Sequence, residues 1–253
     1  MNGAPEKLVG ADRVLGVLIE LGNHPQGATL DELAAAMQSP KPTVHRALTS
    51  LRKSGLATQL GRGLYTLGDE FMRLAFKAYA ERPDALTISP ILDRLAKTYG
   101  ETAHYAILDG VEVVYRAKTD PPHGAVRLTS VIGGRNPAYC TAVGKLLLSY
   151  SVESRAMLIK LLGPGPFPQR TDRTLCTIDE LWADLQLTRE RGYAVDDQEN
   201  EQGVNCVALP TSTGDGLPMT GAISVSALAF RTPLADLERE VPNIADTIAA
   251  TRK

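Results

Sequence analysis

Residues 41–62 combine positive charge with side chains suited to binding a nucleic acid. The segment contains five basic residues and one histidine, and it has no aspartate or glutamate. A solvated protein surface usually carries both signs of charge, so an acid-free basic segment indicates a polyanionic partner. The local charge stands out because the whole chain of 253 residues has a net charge of −2. Double-stranded DNA is the polyanion that the segment predicts.

Helix geometry divides the residues of this segment into two predicted groups. Pro42 suits the first turn of a helix, and Val44, Leu48 and Leu51 would then share the buried face. Pro42, His45, Arg46, Thr49 and Lys53 are expected to point outward, and His45, Arg46 and Thr49 are expected to reach base edges. Arginine pairs best with guanine, which makes Arg46 the principal candidate for reading sequence. The side chains expected to contact phosphates are Lys41, Thr43, Lys53 and Arg62.

The elements around this segment are predicted to be three helices and a hairpin. Apolar residues at positions 14, 17, 18 and 21 indicate a first helix, and Thr29 with Glu32 forms a capping box that begins a second. The third helix ends at Gly55, and strands at 56–60 and 64–67 flank Gly61-Arg62-Gly63. This order is typical of a winged helix-turn-helix over residues 1–68, with the third helix in the major groove. A three-helix protein-interaction module is the alternative on helix periodicity alone.

A connector is predicted over residues 69–84. Residues 69–81 are densely apolar without a helix breaker, and Arg82-Pro83 ends the segment. A helix that is apolar on more than one side must bury against something besides its own domain, and a partner subunit is the simple candidate. The second domain then covers residues 85–253.

The second domain alternates predicted strands and helices. The strands are expected at 102–108, 111–118, 125–131, 204–211 and 220–228. The helices are expected from Ser89-Pro90 to Gly100, over 142–150, from Thr177 to Arg191, and from Thr232-Pro233 almost to the C-terminus. Turns are expected at Asp109-Gly110 and Gly214-Asp215-Gly216. The overall fold class is therefore α+β, with a C-terminal α/β domain built on a largely antiparallel sheet.

Sequence motifs for catalysis, metals and cofactors are absent. Cys140, Cys176 and Cys206 lack metal-ligand spacing, and no phosphate-binding loop or nucleophile elbow occurs. Cys206 is the most suggestive nucleophile, but no nearby base is evident and a cysteine in an apolar strand is usually inert. We expect no cofactor, no metal, no membrane span, no secretory signal and a cytoplasmic location.

The two halves together resemble the IclR-type bacterial transcriptional regulators from about Val9 to Ala250. In the first domain the resemblance rests on Thr29-Leu-Asp-Glu-Leu-Ala, Thr43-Val-His-Arg-Ala-Leu and Tyr65-Thr-Leu-Gly68. In the second it rests on Gly100-Glu-Thr-Ala-His104, Gly134-Arg-Asn-Pro137, Thr141-Ala-Val-Gly-Lys145, Arg191-Gly-Tyr-Ala194, Gly203-Val-Asn-Cys206 and Ala222-Ile-Ser-Val-Ser226. These motifs are specific as an ordered set.

The resemblance implies a GAF-like effector-binding domain in a protein that forms dimers or dimers of dimers. It also implies a small-molecule effector, often an organic acid, bound by Tyr139, Cys140, Thr141, Ala142, Val143, Asp196, Cys206, Ser224 and Ser226. Ser224 and Ser226 are two apart on a strand, so both hydroxyls point to one face. Hydroxyls bonded only to neighbouring backbone are the alternative. Tyr139 stands where relatives often have histidine, and Ala227-Leu228 where they often have Gly-Pro.

The leading hypothesis is a homodimeric repressor of a catabolic operon that binds two operator half-sites and responds to a metabolite. One alternative is a DNA-binding protein whose C-terminal domain serves only assembly. Another is an enzyme that uses Cys206 as its nucleophile.

Overall fold

Two units make up the fold of this chain, residues 1–82 and 83–253. The computed structural model describes residues 10–81, 83–122, 128–212 and 219–250. The predicted turn at Gly214-Asp215-Gly216 lies outside the described residues.

The first unit contains the predicted three helices and hairpin. Its helices are α1 (Gly10–Gly22), α2 (Leu30–Ala36), α3 (Lys41–Lys53) and α4 (Asp69–Ala80). Its strands are β1 (Ala28–Thr29), β2 (Ala57–Leu60) and β3 (Leu64–Leu67), which form an antiparallel sheet in the order β1-β3-β2. Strand β1 was not predicted because two residues are too few to show alternation. Val17, Leu33, Val44 and Leu48 are fully buried at the centre of this unit.

Local hydrogen bonds set the limits of these helices. Thr29 and Glu32 form the predicted capping box, with Glu32 N–H donating to Thr29 Oγ1 at 3.2 Å and Thr29 N–H to Glu32 Oε2 at 2.8 Å. Helix α3 begins at Lys41, one residue before the predicted start, and its proline lies in the first turn. Gly55 follows that helix with φ of +74°, a conformation that favours glycine.

Gly68 joins the hairpin to α4 at a close approach. Its N–H donates to Leu56 O at 2.9 Å, and a Cβ at this position would lie 2.2 Å from Gly55 O. The N–H of Glu70 donates to the same Gly55 carbonyl at 3.2 Å. Any side chain at position 68 would therefore separate the start of α4 from the hairpin.

The second unit is built on a six-stranded antiparallel sheet in the order β6-β5-β4-β9-β8-β7. The strands are β4 (Thr102–Asp109), β5 (Glu112–Thr119), β6 (Arg135–Pro137), β7 (Ala194–Asp197), β8 (Val204–Ser212) and β9 (Met219–Leu228). The helices are α5 (Pro83–Tyr99), α6 (Ala142–Ser151), α7 (Arg155–Leu162), α8 (Ile178–Arg191), α9 (Leu234–Arg239) and α10 (Val241–Ala250). The predicted α+β class and antiparallel sheet are confirmed.

The two faces of the sheet carry different helices because the side chains of each strand alternate. Helices α5, α9 and α10 cover one face, where Tyr105, Ile223 and Val225 are buried. Helices α6, α7 and α8 cover the other face. The buried residues under α6 include Ala106, Ala208 and Ala222, whose small side chains let the helix lie close to the strands. The same face of the sheet also carries the polar residues His104, Ser224 and Ser226.

The prediction of a third strand at 125–131 was wrong for the described part of that segment, residues 128–131. Residues 125–127 lie outside the described residues, Leu128 to Val131 form no strand, and the third strand is β6. Lys118 Nζ donates to Leu128 O at 2.9 Å and to Ser130 O at 2.8 Å. These carbonyls bind a side chain and do not join a ladder.

Helix α7 and strand β7 were not predicted, and prolines explain two further differences from the predicted elements. Helix α5 begins at Pro83 and not at Ser89-Pro90, so Pro90 lies inside it and one backbone donor is lost there. The predicted last helix is divided into α9 and α10 at Glu240. Pro242 has no N–H with which to continue α9, but it suits the first turn of a new helix.

Candidate functional site

Helix α3 presents the candidate DNA-binding surface. Val44, Ala47, Leu48 and Leu51 face the core, and this stripe includes the three positions predicted from periodicity. The exposed residues of the helix include Lys41, Pro42, His45, Arg46 and Lys53, whereas Thr43 and Thr49 are half-buried. No acidic residue interrupts the helix. The outward face is therefore positive and accessible.

Three predicted contacts have local features that affect what they can bind. Lys41 Nζ lies 2.9 Å from Asp31 Oδ2, so this lysine must exchange a carboxylate for a phosphate. The Thr49 hydroxyl donates to His45 O at 2.8 Å and keeps its lone pairs for accepting from a base. Arg62 lies in the 3₁₀ turn Gly61–Gly63 between β2 and β3.

A second candidate site is a cavity of about 200 Å³ in the second unit. Seven of the nine predicted effector-binding residues line it: Thr141, Ala142, Val143, Asp196, Cys206, Ser224 and Ser226. An engineered cavity of about 150 Å³ is known to hold benzene, so this volume is sufficient for a one-ring or smaller molecule. The structure thus brings most of the predicted residues together around one cavity.

Strand register explains why these residues meet. Asp196 on β7 pairs with Cys206 on β8, which pairs with Ser226 on β9. The next row on the same face contains Ser224 and, across β4, His104. Each row is two residues from the next, so their side chains point to the same face of the sheet.

The start of α6 forms the opposite wall of the cavity. Thr141 caps the helix by accepting a hydrogen bond from Gly144 N–H at 3.2 Å. Ala142 and Val143 follow in the first turn of the helix and also line the cavity. A Cβ at Gly144 would lie 2.3 Å from Ala138 O, so the close packing of this wall requires glycine.

Tyr139 and Cys140 lie outside the set of residues that line the cavity. The Tyr139 ring stacks on Phe167 with centroids 4.8 Å apart, and its hydroxyl donates to Pro168 O at 2.6 Å. Cys140 is fully buried. Both residues belong to a short 3₁₀ turn, Ala138–Cys140, that turns their side chains into the core. Neither residue therefore lines this cavity.

Sequence reasoning missed several lining residues. They are His104, Tyr115, Ser130, Arg135, Asn136, Arg170, Asn200 and Glu201, among others. His104 had a usable signal, because it is a polar residue at an inward position of a strand. Asn136 on β6 and Arg170 and Asn200 in two connections are far apart in the sequence and had none.

Hydrogen bonds connect four side chains along the cavity wall. The Cys206 thiol donates to Ser226 Oγ at 3.1 Å, and Ser226 Oγ lies 3.4 Å from His104 Nδ1. His104 Nε2 lies 2.7 Å from Ser130 Oγ. Burial lowers the pKa of His104 to about 3, and nearby Lys118 acts in the same direction, so the imidazole is neutral. Ser224 Oγ has no hydrogen-bond partner among the described residues and remains available to a ligand.

Asp196 is a buried carboxyl group at the edge of the cavity. Its Oδ1 accepts from Glu199 N–H at 2.7 Å. Burial, followed by the negative charge of Glu199, raises the pKa of Asp196 to about 7. The group can therefore donate a hydrogen bond from its protonated form near neutral pH.

Cys206 is poorly suited to nucleophilic chemistry. Burial, together with the negative charge of Asp196, raises the pKa of its thiol well above the ordinary value. A reactive cysteine needs the opposite shift, because the thiolate is the nucleophile. Within the described ranges, no three His, Cys, Asp or Glu side chains are grouped to hold a metal ion. None of the described helices is long and apolar enough to span a bilayer.

Two protein-family models match the chain. The model described as Bacterial transcriptional regulator IclR C-terminal matches residues 80–251, and the IclR helix-turn-helix domain matches residues 10–61. The chain is 31% identical over 238 residues to the Pca regulon regulatory protein of Pseudomonas putida, with 94% of this chain and 80% of that protein covered.

Solved structures share the fold. An IclR transcriptional regulator from Alicyclobacillus acidocaldarius is 23% identical with a TM-score of 0.80, covering 96% of this chain and 98% of the other. An IclR homologue from Microbacterium hydrocarbonoxydans, crystallised with 4-hydroxybenzoate, is 21% identical with a TM-score of 0.74, covering 95% and 94%.

Proposed function

The chain belongs to the IclR family of bacterial transcriptional regulators, and from this premise we propose that it represses catabolic genes in response to a small organic acid. Its regulatory role and its DNA-binding helix-turn-helix follow from the family. The proposed response to an organic acid is supported by the cavity of about 200 Å³, which has polar residues on its sheet face.

In the proposed DNA complex, α3 lies in the major groove. His45, Arg46 and Thr49 contact base edges there, and Pro42 lies beside them. Thr43, Lys53 and Arg62 contact phosphates, and so does Lys41 once it leaves Asp31. These assignments are supported by the exposure of the helix and by its lack of acidic residues.

We also propose that the protein is a dimer, or a dimer of dimers, on two half-sites. Helix α4 has no buried residue, and its apolar side chains Leu74 and Phe76 are 47% and 63% exposed. On α1, Leu15 and Ile19 are likewise exposed. A second subunit is the simplest cover for these surfaces. The division into residues 1–68, 69–84 and 85–253 is kept in this proposal, and the cytoplasmic location stays a prediction.

The proposed effector is an acid with at most one ring. A homologue of this family was crystallised with 4-hydroxybenzoate, and the cavity volume here suits a molecule of that size. Control of DNA binding requires that the effector bind the DNA-competent and incompetent states with different affinities.

The alternatives have less support. An enzyme that uses Cys206 is disfavoured because burial raises the pKa of its thiol. A domain that serves only assembly would have no use for a buried hydroxyl without a partner, such as Ser224, beside an open cavity.

Mobility-shift titration with the DNA upstream of the gene tests this proposal. We expect a specific shift that added acids such as 4-hydroxybenzoate reverse. Arg46→Ala should weaken the specific complex by about 1–3 kcal/mol. Arg94→Ala, an exposed arginine on α5, is the matched control and should have no effect. A protein that shows no specific shift, or an Arg46→Ala variant with unchanged affinity and site preference, would overturn the proposal.

A further inference from the structure

Arg170 supplies a cation to the cavity that no described carboxylate neutralises. Two arginines are among the described residues that line the cavity, Arg135 and Arg170. Arg135 pairs with the carboxylates of Asp109 and Glu112. Arg170 has no carboxylate partner within the described ranges, and its terminal nitrogens form no hydrogen bond there.

Hydrogen bonds hold the exposed Arg170 beside the cavity. Its Nε donates to Asn200 O at 3.0 Å, and its backbone N–H donates to Thr174 Oγ1 at 3.1 Å. The buried Thr174 hydroxyl in turn lies 2.7 Å from Glu199 O, and Thr171 Oγ1 donates to Gln198 O at 2.7 Å. The guanidinium is thus held by one edge while its two terminal amino groups stay open, which limits the entropy lost on binding.

Among the described residues on β4, β7, β8 and β9, the lining of the cavity includes no cation. Ser224 and Ser226 provide hydroxyls, His104 is neutral, and Asp196 provides a carboxyl group. A carboxylate placed beside Asp196 would meet a like charge or require that Asp196 be protonated. An uncharged hydroxyl or carbonyl can hydrogen-bond to the same groups without this cost.

These observations give the cavity a polarity, and we infer that Arg170 binds the acid group of the effector while Ser224 binds an uncharged polar group at its other end. A guanidinium binds a carboxylate through two parallel hydrogen bonds, and Arg170 has the two donors free for this geometry. The inference rests on the proposed function of the cavity as an effector site. It specifies the ligand as an acid that also carries a hydroxyl or carbonyl group.

Binding of matched probes to the full-length protein tests the role of Arg170. The probes are 4-hydroxybenzoate, benzoate and 4-hydroxybenzamide, measured by calorimetry. Arg170→Gln should lower the affinity for the two acids by roughly 10- to 100-fold and leave the affinity for the amide unchanged, because only the acids lose a charge-assisted pair. Arg170→Lys should recover part of the loss.

Arg173→Gln is the matched control. Arg173 lies three residues away, is exposed, does not line the cavity and pairs with Asp197. This variant should bind all three probes as the wild type does. A structural disturbance of the segment that carries Arg170 and Arg173 would also lower the affinity for the amide. The amide therefore separates a structural effect from a loss of anion binding.

Ser224→Ala tests the direction in which the ligand lies. This variant should bind 4-hydroxybenzoate with about tenfold lower affinity and benzoate with unchanged affinity, because benzoate has no hydroxyl for Ser224 to bind. An equal loss of affinity for both acids would indicate the opposite orientation of the ligand and overturn the inference. So would unchanged acid binding in Arg170→Gln, or a wild type that binds the amide but neither acid. If none of the probes binds and none affects the DNA complex, the proposed effector site itself fails.

Discussion

Lys145 and Glu199 form an ion pair that is closed to solvent behind the cavity. Lys145 is 0% exposed, and its Nζ lies 2.5 Å from Glu199 Oε1 and 3.1 Å from Asp184 Oδ2. Burial alone would lower the pKa of Lys145, but the two carboxylates raise it, and the net shift is upward. The backbone N–H of Glu199 also holds Asp196, so one residue connects the buried lysine to the cavity wall.

Removal of this lysine should destabilise the second unit strongly. Lys145→Met leaves Glu199 and Asp184 as uncompensated buried carboxylates, and we expect a loss of about 3–5 kcal/mol in the free energy of unfolding by urea. Lys145→Met with Glu199→Gln should recover part of that loss. Lys160→Met, an exposed lysine on α7, should change stability by less than about 0.5 kcal/mol. A stable Lys145→Met protein would show that the pair is not coupled to folding.

Asp196 should reduce stability as the pH rises. Its pKa is about 7 in the folded protein, above the ordinary value of 3.8, because burial and Glu199 disfavour the charge. The folded state therefore holds the proton more tightly, and the resulting stability is present below pH 3.8 and lost as pH rises through 7. Asp196→Asn should gain stability over the wild type, by a few kcal/mol, between pH 5 and pH 8 in urea titrations. A gain in Asp172→Asn, at an exposed site, would contradict this assignment.

His104 should have the opposite pH dependence. Burial lowers its pKa to about 3 from 6.5, so the folded state resists protonation that the unfolded chain accepts. The stability that it contributes is present above pH 6.5 and is lost as pH falls toward 3. His104→Gln should lose less stability than the wild type between pH 7 and pH 4. His45→Gln, at an exposed site on α3, should follow the wild-type curve, and identical curves for all three proteins would refute the prediction.

Gly144 should tolerate no side chain. A Cβ there would lie 2.3 Å from Ala138 O and 2.6 Å from Thr141 Oγ1, so Gly144→Ala must displace the wall of the cavity. We expect a loss of about 1–3 kcal/mol in thermal or urea unfolding. Gly22→Ala is the control, since a Cβ at the end of α1 meets nothing within 4 Å. Equal stability of the two variants would contradict the packing of α6 described above.

Local signals predicted the parts of the fold that local interactions determine. The capping box of Thr29 with Glu32 begins α2 as predicted, because it is complete within four residues. The helix predicted from Thr177 likewise begins at a capping box, formed with Glu180. The alternation of Ser224 and Ser226 correctly predicted a shared face, because a strand fixes that period.

Contacts between distant segments were not accessible from the sequence. The Arg170 side chain is held beside the cavity by a hydrogen bond from its Nε to the backbone oxygen of Asn200, thirty residues away. No sequence pattern connects these two residues. Tyr139 was assigned to the pocket by resemblance, but its ring stacks on Phe167, which lies in a different connection. Strand β6 has only three residues, too few for a periodic signal. The strand was therefore predicted at residues 125–131, the segment with apolar residues that precedes it.

The exposed apolar side chains of α4, which lie on more than one side of the helix, lead to a last prediction about assembly. Leu74 and Phe76 are 47% and 63% exposed, and a stable chain seldom leaves such side chains on one helix without a partner. The double variant Leu74→Glu with Phe76→Glu should convert the dimer to monomer in sedimentation equilibrium and weaken binding to paired half-sites. Lys77→Glu adds a negative charge to the same exposed helix without removing apolar surface, and it should stay dimeric. A double variant that remains dimeric would place the subunit interface elsewhere, because two buried carboxylates could not be accommodated in the one proposed.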